Sequence, residues 1–294
     1  MACYCPLDAY RREGGGKLVF GSPKGQLTTG FVSLPCGQCI GCRLDRSVVW
    51  ATRIMHESRM HKFSSFVTLT YDDEHLPYGD TLHYRHFQLF MKRLRKKLGP
   101  IRFFMCGEYG DTFKRPHYHA ALFGAAFGDR TEWRKSSAGF QLYRSKLLEA
   151  AWDFGSAEIG DLSFESAAYV ARYCTKKITG AMSEDYYRKT VSDTGEIISL
   201  VPEFARMSLK PGIGTDWFRK FGDHAIEHGF CIVDGRKLPV PKYYRSLMSL
   251  SDLDEFEWRR FEATKDVDFD NSSDRLRVRE IVTRARFNVD QRGR

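Results

Sequence analysis

The sequence predicts an α+β fold in which amphipathic helices pack on an antiparallel sheet. Two observations support this class: segments with helical periodicity alternate with strand-like segments, and two of the strands are separated by a short polar turn. These strands are residues 101–109 and 117–123, and a turn of this length favours a hairpin. Because hairpin strands are antiparallel, we expect an antiparallel sheet with helices packed on it.

The N-terminal segment differs in composition from the rest of the chain. Residues 1–43 are rich in Cys, Gly and Pro, which indicates an irregular lead-in. From Leu44 onward apolar residues recur at helical spacing, which predicts a first helix with one apolar face. Residues 65–71, SFVTLTY, are β-branched and aromatic and therefore predict the first strand after this helix.

Three further helices are predicted from the same periodicity. They cover residues 82–98, 143–155 and 164–179. The first of them carries a basic run that suits a solvated surface and a DNA contact equally well. These elements divide the chain into a Cys-rich segment with a possible zinc clamp, an α+β domain, and a C-terminal extension of unknown role with a basic tail, over residues 1–43, 44–180 and 181–294.

The overall charge suits a polyanionic partner. The chain has 294 residues, and 46 Lys and Arg against 37 Asp and Glu give a formal net charge of +9. No stretch reaches the ~18 apolar residues of a membrane span, and the start lacks the apolar region of a secretory signal. We therefore expect a protein of the reducing cytoplasm without a membrane partner, whose eight cysteines are thiols or metal ligands.

Two histidines lie one residue apart in the strand over 117–123. Because strand side chains alternate between faces, His117 and His119 share one face. If the hairpin is symmetric about its turn, Glu108 lies opposite His117 and Cys106 lies opposite His119. Two imidazoles and a carboxylate then form a metal site that suits Mg²⁺ or Mn²⁺ at a phosphate, and Zn²⁺ less well. An incidental pair of strand histidines is the alternative interpretation.

A second group of reactive side chains lies in SAAYVARYCTKK, residues 166–177. On a helix, Tyr169 and Tyr173 stack on one face with Lys176 beside them. The alternative is a pair of tyrosines that merely covers a surface. Because these tyrosines share their face with a lysine rather than with the apolar stripe, the pattern favours a functional role.

The two groups together predict a transesterification of DNA. A tyrosine hydroxyl, with a pKa of about 10, is a poor nucleophile at neutral pH. A divalent cation on the scissile phosphate makes phosphorus more electrophilic and stabilises the departing 3′-oxygen, and a lysine holds the phosphate. The product is a 5′-phosphotyrosine linkage with a free 3′-hydroxyl, and two tyrosines allow one to hold a DNA end while the other attacks.

In combination, these motifs resemble the rolling-circle replication initiators of the HUH endonuclease superfamily, in the two-tyrosine class. The resemblance is closest to the replication initiation proteins of gokushoviruses, small single-stranded DNA phages of the Microviridae. The stretches that carry it are FVTLTYDDEHLP (66–77), RPHYHAALFG (115–124), YVARYCTKK (169–177), PCGQCIGCRLDRSVVWATR (35–53) and MSLKPGIGTDWFRK (207–220).

The resemblance implies an antiparallel sheet of about five strands, ferredoxin-like, with the histidine strand at its centre. It implies nicking of an origin and religation of the circle in the host bacterial cytoplasm, with Mg²⁺ or Mn²⁺ as cofactor. The implied partners are viral single-stranded and replicative-form DNA at the origin, with a host helicase and polymerase. The implied site residues are the metal ligands His117, His119 and Glu108, the nucleophiles Tyr169 and Tyr173, the phosphate partner Lys176, and the further DNA-contact candidates Arg115, Arg172 and Lys177.

Three closely spaced cysteines predict a structural Zn²⁺ site. Cys36, Cys39 and Cys42 supply three thiols, and Cys3 or Cys5 supplies the fourth, with Cys3 taken first. Such a site would clamp the N-terminus against the first helix. Loop thiols without a metal are the alternative, because the second CxxC of a zinc ribbon is missing.

Two other functional classes stay open at this point. A non-catalytic, zinc-stabilised DNA-binding protein would use the histidines structurally and would form no covalent product with DNA. A metallohydrolase that activates water would also form no adduct, and the loss of both tyrosines would affect it little. The role of residues 181–294 is left open between origin recognition, host-factor contact and core completion.

Overall fold

The computed structural model describes residues 3–21, 28–110, 113–136, 138–173, 182–191, 194–266 and 270–292, and only the backbone of residues 172, 173, 182 and 289–292. Its strands are β1 (Leu7–Arg12), β2 (Val19–Phe20), β3 (Thr28–Leu34), β4 (Ser64–Tyr71), β5 (Arg102–Tyr109), β6 (Pro116–Phe123), β7 (Thr131–Lys135), β8 (Gln141–Arg144), β9 (Gly155–Asp161), β10 (Arg188–Thr190), β11 (Ile197–Ser199), β12 (Phe204–Met207), β13 (Phe230–Val233) and β14 (Arg236–Pro239). Its helices are α1 (Ile40–Ser58), α2 (Tyr84–Leu98), α3 (Lys146–Glu149), α4 (Phe164–Tyr173), α5 (Met182–Tyr186), α6 (Thr215–Phe221), α7 (Asp223–His228), α8 (Lys242–Arg245), α9 (Leu250–Glu262) and α10 (Ser273–Arg292). Among these described helices, none is long and apolar enough to cross a membrane.

The chain separates into two compact units. The first unit comprises Met1–Arg46 and Asp266–Arg294, and the second comprises Ser47–Lys265. Helix α1 therefore begins in the first unit and continues in the second. The three-part division predicted from the sequence stays a prediction.

The first unit contains a small antiparallel sheet and the long helix α10. The strand order of the sheet is β2-β1-β3. The three glycines over residues 14–16 all have positive φ and form the reversal that follows β1. Because this glycine-rich turn returns the chain onto β1, the lead-in that was expected to be irregular holds a three-stranded sheet, in which Ala9 is fully buried.

The second unit is built on a seven-stranded antiparallel sheet with the order β12-β5-β6-β4-β9-β8-β7. The predicted α+β class, with a Cys-rich N-terminal segment and a C-terminal helical extension, is confirmed. The sheet is wider than the expected five or so strands. The histidine strand β6 lies in its interior between β5 and β4, as the resemblance implied.

One face of this sheet, here the Tyr118 face, is covered by helix α2. Phe87, Phe90, Met91 and Leu94 of α2 are buried against it. The helix begins two residues later than predicted and ends at Gly99, whose φ of 84° is favourable for glycine. The apolar periodicity of residues 82–98 therefore predicted this packing correctly.

The other face, here the histidine face, carries His117 and His119. Helices α1 and α4 pack on part of it through Ile54 and Ala167, which are fully buried with Phe104 of β5. Helix α4 packs on strands β5 and β6. A helix that carries candidate nucleophiles is thereby placed directly above the strands that carry the candidate metal ligands.

The stretch MSLKPGIGTDWFRK joins the later part of the second unit to helix α1. The N–H of Gly214 donates to the Glu57 carboxylate at 2.7 Å, and the Ile213 carbonyl accepts from Arg53 Nε at 3.0 Å. Gly214 has a φ of +81°, and a Cβ atom there would lie 2.2 Å from the hydroxyl oxygen of Tyr244. Only glycine fits this turn, so the described structure gives the stretch a packing role.

The predicted helix over 143–155 is only partly correct. Helix α3 covers Lys146–Glu149 alone, while Tyr143 belongs to strand β8 and pairs with Ile159 of β9. Further along, Trp152 is fully buried and donates its Nε1–H to the Thr70 carbonyl at 3.1 Å. Strand pairing and the burial of this large side chain therefore override the helical periodicity of the segment.

Candidate active site

The hairpin formed by β5 and β6 has the register that the sequence predicted. Glu108 lies opposite His117, and Cys106 lies opposite His119. Since directly opposed residues of an antiparallel pair point to the same side, both histidines and Glu108 lie on the histidine face. This prediction is confirmed.

The three side chains meet at a single point. Glu108 Oε1 lies 2.8 Å from His117 Nε2 and 3.0 Å from His119 Nε2. The three candidate ligand atoms all lie within 4.8 Å of one another. One carboxylate oxygen and two imidazole nitrogens are therefore available to a single cation.

The outer nitrogens of both imidazoles have partners that orient the rings. His117 Nδ1 lies 3.1 Å from the Arg115 carbonyl oxygen, which can only accept, so Nδ1 carries the proton there. His119 Nδ1 lies 2.9 Å from Thr68 Oγ1 in strand β4. Such contacts leave the Nε2 lone pairs for a metal and are typical of histidine ligands.

The spacing of the ligand atoms fits an octahedral ion. Two neighbouring ligands at about 2.0–2.1 Å from such an ion lie about 3 Å from each other. The two separations from Glu108 Oε1 agree with this value. A carboxylate with two imidazoles leaves the other coordination positions open to substrate oxygens and water.

Glu108 is charged in this environment although it is only 2 % exposed. Burial alone would raise its pKa, but hydrogen bonds from His117 and His119 and the charge on these rings hold the pKa below its usual value. The carboxylate is therefore ionised at neutral pH, which is the form that a cation binds.

Tyr118 fixes the strand from the opposite side of the sheet. It is fully buried on the Tyr118 face, and its hydroxyl oxygen accepts the His83 N–H at 2.9 Å and lies 3.1 Å from the Tyr71 hydroxyl. The residue between the histidines was predicted to anchor the strand on that side, and this is confirmed. Its contacts keep both imidazoles on the other face.

Helix α4 brings Tyr169 to the metal group. The Tyr169 ring lies 5.2 Å from the His119 ring, centroid to centroid, at an angle of 81°. Phe66 of β4 contacts both of these rings, at 5.5 Å from His119 and 6.4 Å from Tyr169. One predicted nucleophile therefore lies in the immediate neighbourhood of one predicted metal ligand.

The other predicted residues of this helix lie partly outside the described structure. Tyr173 is the last described residue of α4, one helical turn beyond Tyr169, and its side chain is not described. The side chain of Arg172 is likewise outside, as are Lys176 and Lys177. Their predicted roles stay predictions.

Arg115, a further candidate for DNA contact, is held by neighbouring groups. Its guanidinium forms an ion pair with Asp73 and donates to the Tyr71 carbonyl at 3.0 Å. These contacts tie the end of β4 to the start of β6. Contact with a phosphate stays a prediction for this residue.

The chain matches a known family over the region that contains this geometry. Residues 64–178 match the model of the family described as Replication-associated protein ORF2. The chain is 33% identical over 255 residues to Replication-associated protein VP4 of Bdellovibrio phage phiMH2K, covering 83% of this chain and 76% of that protein. The chain belongs to this family of phage replication-associated proteins.

Two further phage replication-associated proteins are similar to the chain. It is 33% identical over 280 residues to Replication-associated protein ORF2 of Spiroplasma virus 4, covering 87% of this chain and 83% of that protein. It is 28% identical over 244 residues to Replication-associated protein ORF4 of Chlamydia phage 1, covering 79% of this chain and 58% of that protein. No solved structure matches the chain at a significant level.

Membership in this family confirms the resemblance to phage replication initiators and gives the protein a role in the initiation of phage replication. The matched region of the replication-associated family spans strand β4 through the end of helix α4. It therefore contains Glu108, both histidines and Tyr169, which the fold brings together.

A four-cysteine group lies in the first unit. Four sulfur atoms lie within 4.8 Å of one another, those of Cys3, Cys36, Cys39 and Cys42. The Tyr4 N–H donates to Cys39 Sγ and the Cys36 N–H donates to Cys3 Sγ, each at 3.3 Å. Such donors stabilise thiolates, so the group can bind a metal ion, and the fourth member is Cys3 rather than the exposed Cys5.

Sequence reasoning missed two residues of the candidate active site, Thr68 and Phe66. Thr68 lies opposite His119 and Phe66 lies opposite Ala121 in the pairing of β4 with β6. Alternation within FVTLTY places both side chains on one face. Nothing in the residue pattern indicated that β4 would pair with the histidine strand, because hairpin logic applies only to strands joined by a short turn.

Proposed function

We propose that the protein initiates rolling-circle replication as a metal-dependent, site-specific endonuclease and strand transferase of single-stranded DNA. The observation that supports this most is the contact of Tyr169 with His119 of a Glu-His-His group, within a family of phage replication-associated proteins. In this proposal a tyrosine nicks the origin, and a later attack religates the circle.

The proposed metal ligands are Glu108 Oε1, His117 Nε2 and His119 Nε2, and the proposed ion is Mg²⁺ or Mn²⁺. When bound, the ion supplies Lewis-acid activation of the scissile phosphate and charge for the departing oxygen. Thr68 and the Arg115 carbonyl hold the two imidazoles in the orientation that this requires. The ionised Glu108 supplies the negative charge of the ligand set.

The proposed nucleophile is the hydroxyl oxygen of Tyr169 or of Tyr173. The tyrosine oxygen forms a bond to phosphorus, the bond from phosphorus to the 3′-oxygen breaks, and the 3′-oxygen leaves as a hydroxyl after taking a proton. The protein then carries the 5′-phosphate, and the reverse reaction restores a phosphodiester without ATP. Lys176, placed on the same helical face by its spacing, is proposed to hold the phosphate.

The four-cysteine group is proposed to bind a structural Zn²⁺. Four thiolates are the usual tetrahedral ligand set of such sites. The group joins Cys3 to residues 36–42, so a bound ion would hold the N-terminus to the start of α1 within the first unit. The remaining proposals are origin DNA as substrate, a host helicase and polymerase as partners, and the host bacterial cytoplasm as location.

The test is covalent adduct formation with single-stranded oligonucleotides that tile the genome encoding this chain. With Mn²⁺ or Mg²⁺, a 3′-labelled oligonucleotide is expected to migrate with the protein in SDS, because the protein keeps the 5′-phosphate. A 5′-labelled oligonucleotide is expected to be released as a shorter product that a polymerase extends from its 3′-hydroxyl. Peptide mapping would locate the linkage.

The matched variants are Tyr169→Phe with Tyr173→Phe, and Tyr186→Phe as a control at a tyrosine that is 48% exposed in helix α5. Only the double variant is expected to lose the adduct. An adduct that persists in the double variant would refute the mechanism. Cleavage without an adduct would favour the metallohydrolase, and salt-dependent binding without cleavage would favour the non-catalytic DNA-binding protein.

A further inference from the structure

The hairpin formed by β7 and β8 extends the central sheet at the edge away from β5. Gly160 of β9 lies opposite Phe66 on one side and Leu142 of β8 on the other, and Arg134 of β7 lies opposite Leu142. Because directly paired residues share a face, Leu142 and Arg134 lie on the histidine face. The hairpin thus continues the surface that carries the metal group.

This surface becomes more exposed with distance from the metal group. In β4 the histidine-face residues are half-buried while the alternate residues are buried, and in β7 all five residues are exposed. Helix α4 packs on β5 and β6, the strands that carry the metal group. The β4–β9–β8–β7 part of the face therefore offers a shelf that leads from the candidate active site to the sheet edge.

An arginine and a tryptophan form a stacked pair on the hairpin. The pairing of β7 with β8 shifts register between Glu132 and Arg134, so Trp133 is the extra residue of a bulge. The Arg144 guanidinium lies 3.8 Å from the centre of the Trp133 ring, and Trp133 is 50% exposed. The indole is thereby held in one orientation while half of its surface stays open to solvent.

The hairpin is also basic. Over residues 130–144, Arg130, Arg134, Lys135 and Arg144 against Glu132 give four positive charges and one negative charge, a net +3. Arg134 binds Glu158 of β9 through two hydrogen bonds of 2.8 and 3.0 Å, which neutralises the carboxylate nearest to the hairpin on this face. At the hairpin turn Phe140 adds a second aromatic ring that is 57% exposed.

We propose that this hairpin is a stacking platform for unstacked bases of single-stranded DNA, with Trp133 as the main contact and Arg144 and Arg134 as the phosphate-facing charges. Aromatic rings beside basic side chains are the general means by which proteins hold single strands. Strand β7 lies four strands from β6, about 19 Å away at the usual spacing, so one DNA strand can reach both the platform and the metal group. The inference rests on the proposed function, because it gives that site its substrate contact.

The test is equilibrium binding of a fluorescein-labelled oligothymidylate of about 20 nucleotides, longer than the ~4–16 nucleotides that such surfaces usually occupy. The protein carries Tyr169→Phe and Tyr173→Phe so that no covalent product forms. Trp133→Ala is expected to raise the Kd about tenfold, the usual effect of losing one stacked base, and Trp133→Phe to retain most of the affinity. Trp258→Ala, at a tryptophan of helix α9 that is 62% exposed, is the matched control and is expected to leave the Kd unchanged.

Two results would overturn the platform. One is an equal Kd for Trp133→Ala and Trp258→Ala; the other is an equal loss on duplex DNA of the same length, whose bases stack on each other. If Trp133→Ala alters the circular dichroism spectrum, quenching of tryptophan fluorescence by the oligonucleotide decides instead, since Trp133→Phe must abolish it. Failure of wild-type adduct formation with Trp133-dependent binding intact would refute the proposed catalysis and leave the platform standing.

Discussion

The two groups of candidate metal ligands are built in opposite ways. Glu108, His117 and His119 lie on adjacent strands of one sheet, and the strand register alone brings them together. The four cysteines come from the N-terminal segment and from the loop before α1, with Cys3 and Cys36 separated by 33 residues in the sequence. The first group lies in the second unit and the other lies in the first unit.

This difference predicts different work for the two ions. The sheet holds the Glu-His-His group in place before any metal arrives, so an ion there adds charge and coordination rather than structure. In the cysteine group the ion itself would join segments that few other contacts hold, so its binding free energy would be folding free energy. We therefore expect catalysis to fail at one group and stability to fail at the other.

The largest expected effects come from removing one ligand from each group. His119→Ala is expected to lower the rate of adduct formation by about a hundredfold or more, since a catalytic metal is worth several kcal/mol, and to leave the thermal midpoint nearly unchanged. Cys39→Ser is expected to abolish bound zinc and to expose residues 1–46 to proteases, with adduct formation retained by the second unit. Zinc content, limited proteolysis and adduct assays measure these effects.

This crossed pattern is what the comparison requires. If His119→Ala unfolds the protein, the Glu-His-His group is structural and the division of roles is wrong. If Cys39→Ser leaves zinc content and protease resistance unchanged, the cysteines hold no structural ion. Cys231→Ser, at a buried thiol of β13 in the second unit, is the control for loss of a cysteine as such.

A third buried histidine of the second unit sharpens the contrast with the metal group. His56 of α1 stacks on Trp217 with 3.3 Å between ring centroids, and its Nδ1 lies 3.1 Å from the Tyr244 hydroxyl. Burial, with some help from the charge of Arg59, lowers the pKa of His56 to about 3, although a hydrogen bond with the backbone of Ile232 opposes this. His56 is therefore a neutral packing residue at physiological pH.

The expected result is a loss of stability on mild acidification. The folded pKa lies below the unfolded value of 6.5, so the unfolded state binds the proton first as the pH falls. The contribution of neutral His56 is complete above pH 6.5 and is lost progressively towards pH 3, reaching about 2 kcal/mol by pH 5. Urea unfolding of the metal-free protein at pH 7 and pH 5 measures this loss.

His56→Phe keeps an aromatic ring in the stack and removes the titrating group. It is expected to flatten the pH dependence of the free energy of unfolding between pH 5 and 7, while His224→Phe at an exposed histidine of α7 is expected to leave it unchanged. An unaltered pH dependence in His56→Phe would show that other groups determine acid stability in this window.

The sequence predicted the local part of the candidate site better than the long-range part. The positions of Glu108 and the histidines followed from a hairpin, in which the short turn fixes the register. The apolar face of α2 followed from its periodicity. The placement of Tyr169 beside His119 was suggested only by the chemistry of the residues and by family resemblance, because nothing local relates helix α4 to strand β6.

The unpredicted parts share a physical reason. Thr68, Phe66 and the β7–β8 hairpin all depend on which strands pair at long sequence separation, and the hydrophobic pattern of a strand does not name its partner. Trp133 gave no signal for the same reason, since a bulge becomes visible only when the partner strand is known. The truncated helix at Lys146–Glu149 likewise resulted from pairing of the residues before it.

The smallest effect concerns a residue that holds a ligand without touching the ion. Thr68→Val keeps the shape of the side chain and removes the hydroxyl that lies 2.9 Å from His119 Nδ1. Loss of such a partner usually weakens metal binding by about tenfold or more, so the Kd for Mn²⁺, read from the EPR signal of free Mn²⁺, is expected to rise by about that factor. The thermal midpoint is expected to change little, because Thr68 is only half-buried.

The same strand supplies the matched control. Thr70 lies opposite His117 as Thr68 lies opposite His119, but His117 Nδ1 is held by the Arg115 carbonyl and not by a threonine hydroxyl. Thr70→Val is therefore expected to leave the Kd for Mn²⁺ close to that of the wild type. If both valine variants weaken Mn²⁺ binding equally, the effect belongs to the polarity of strand β4 and not to the orientation of one ring. If neither does, the sheet alone orients His119, and the contrast between a group held by its scaffold and a group held by its metal becomes stronger.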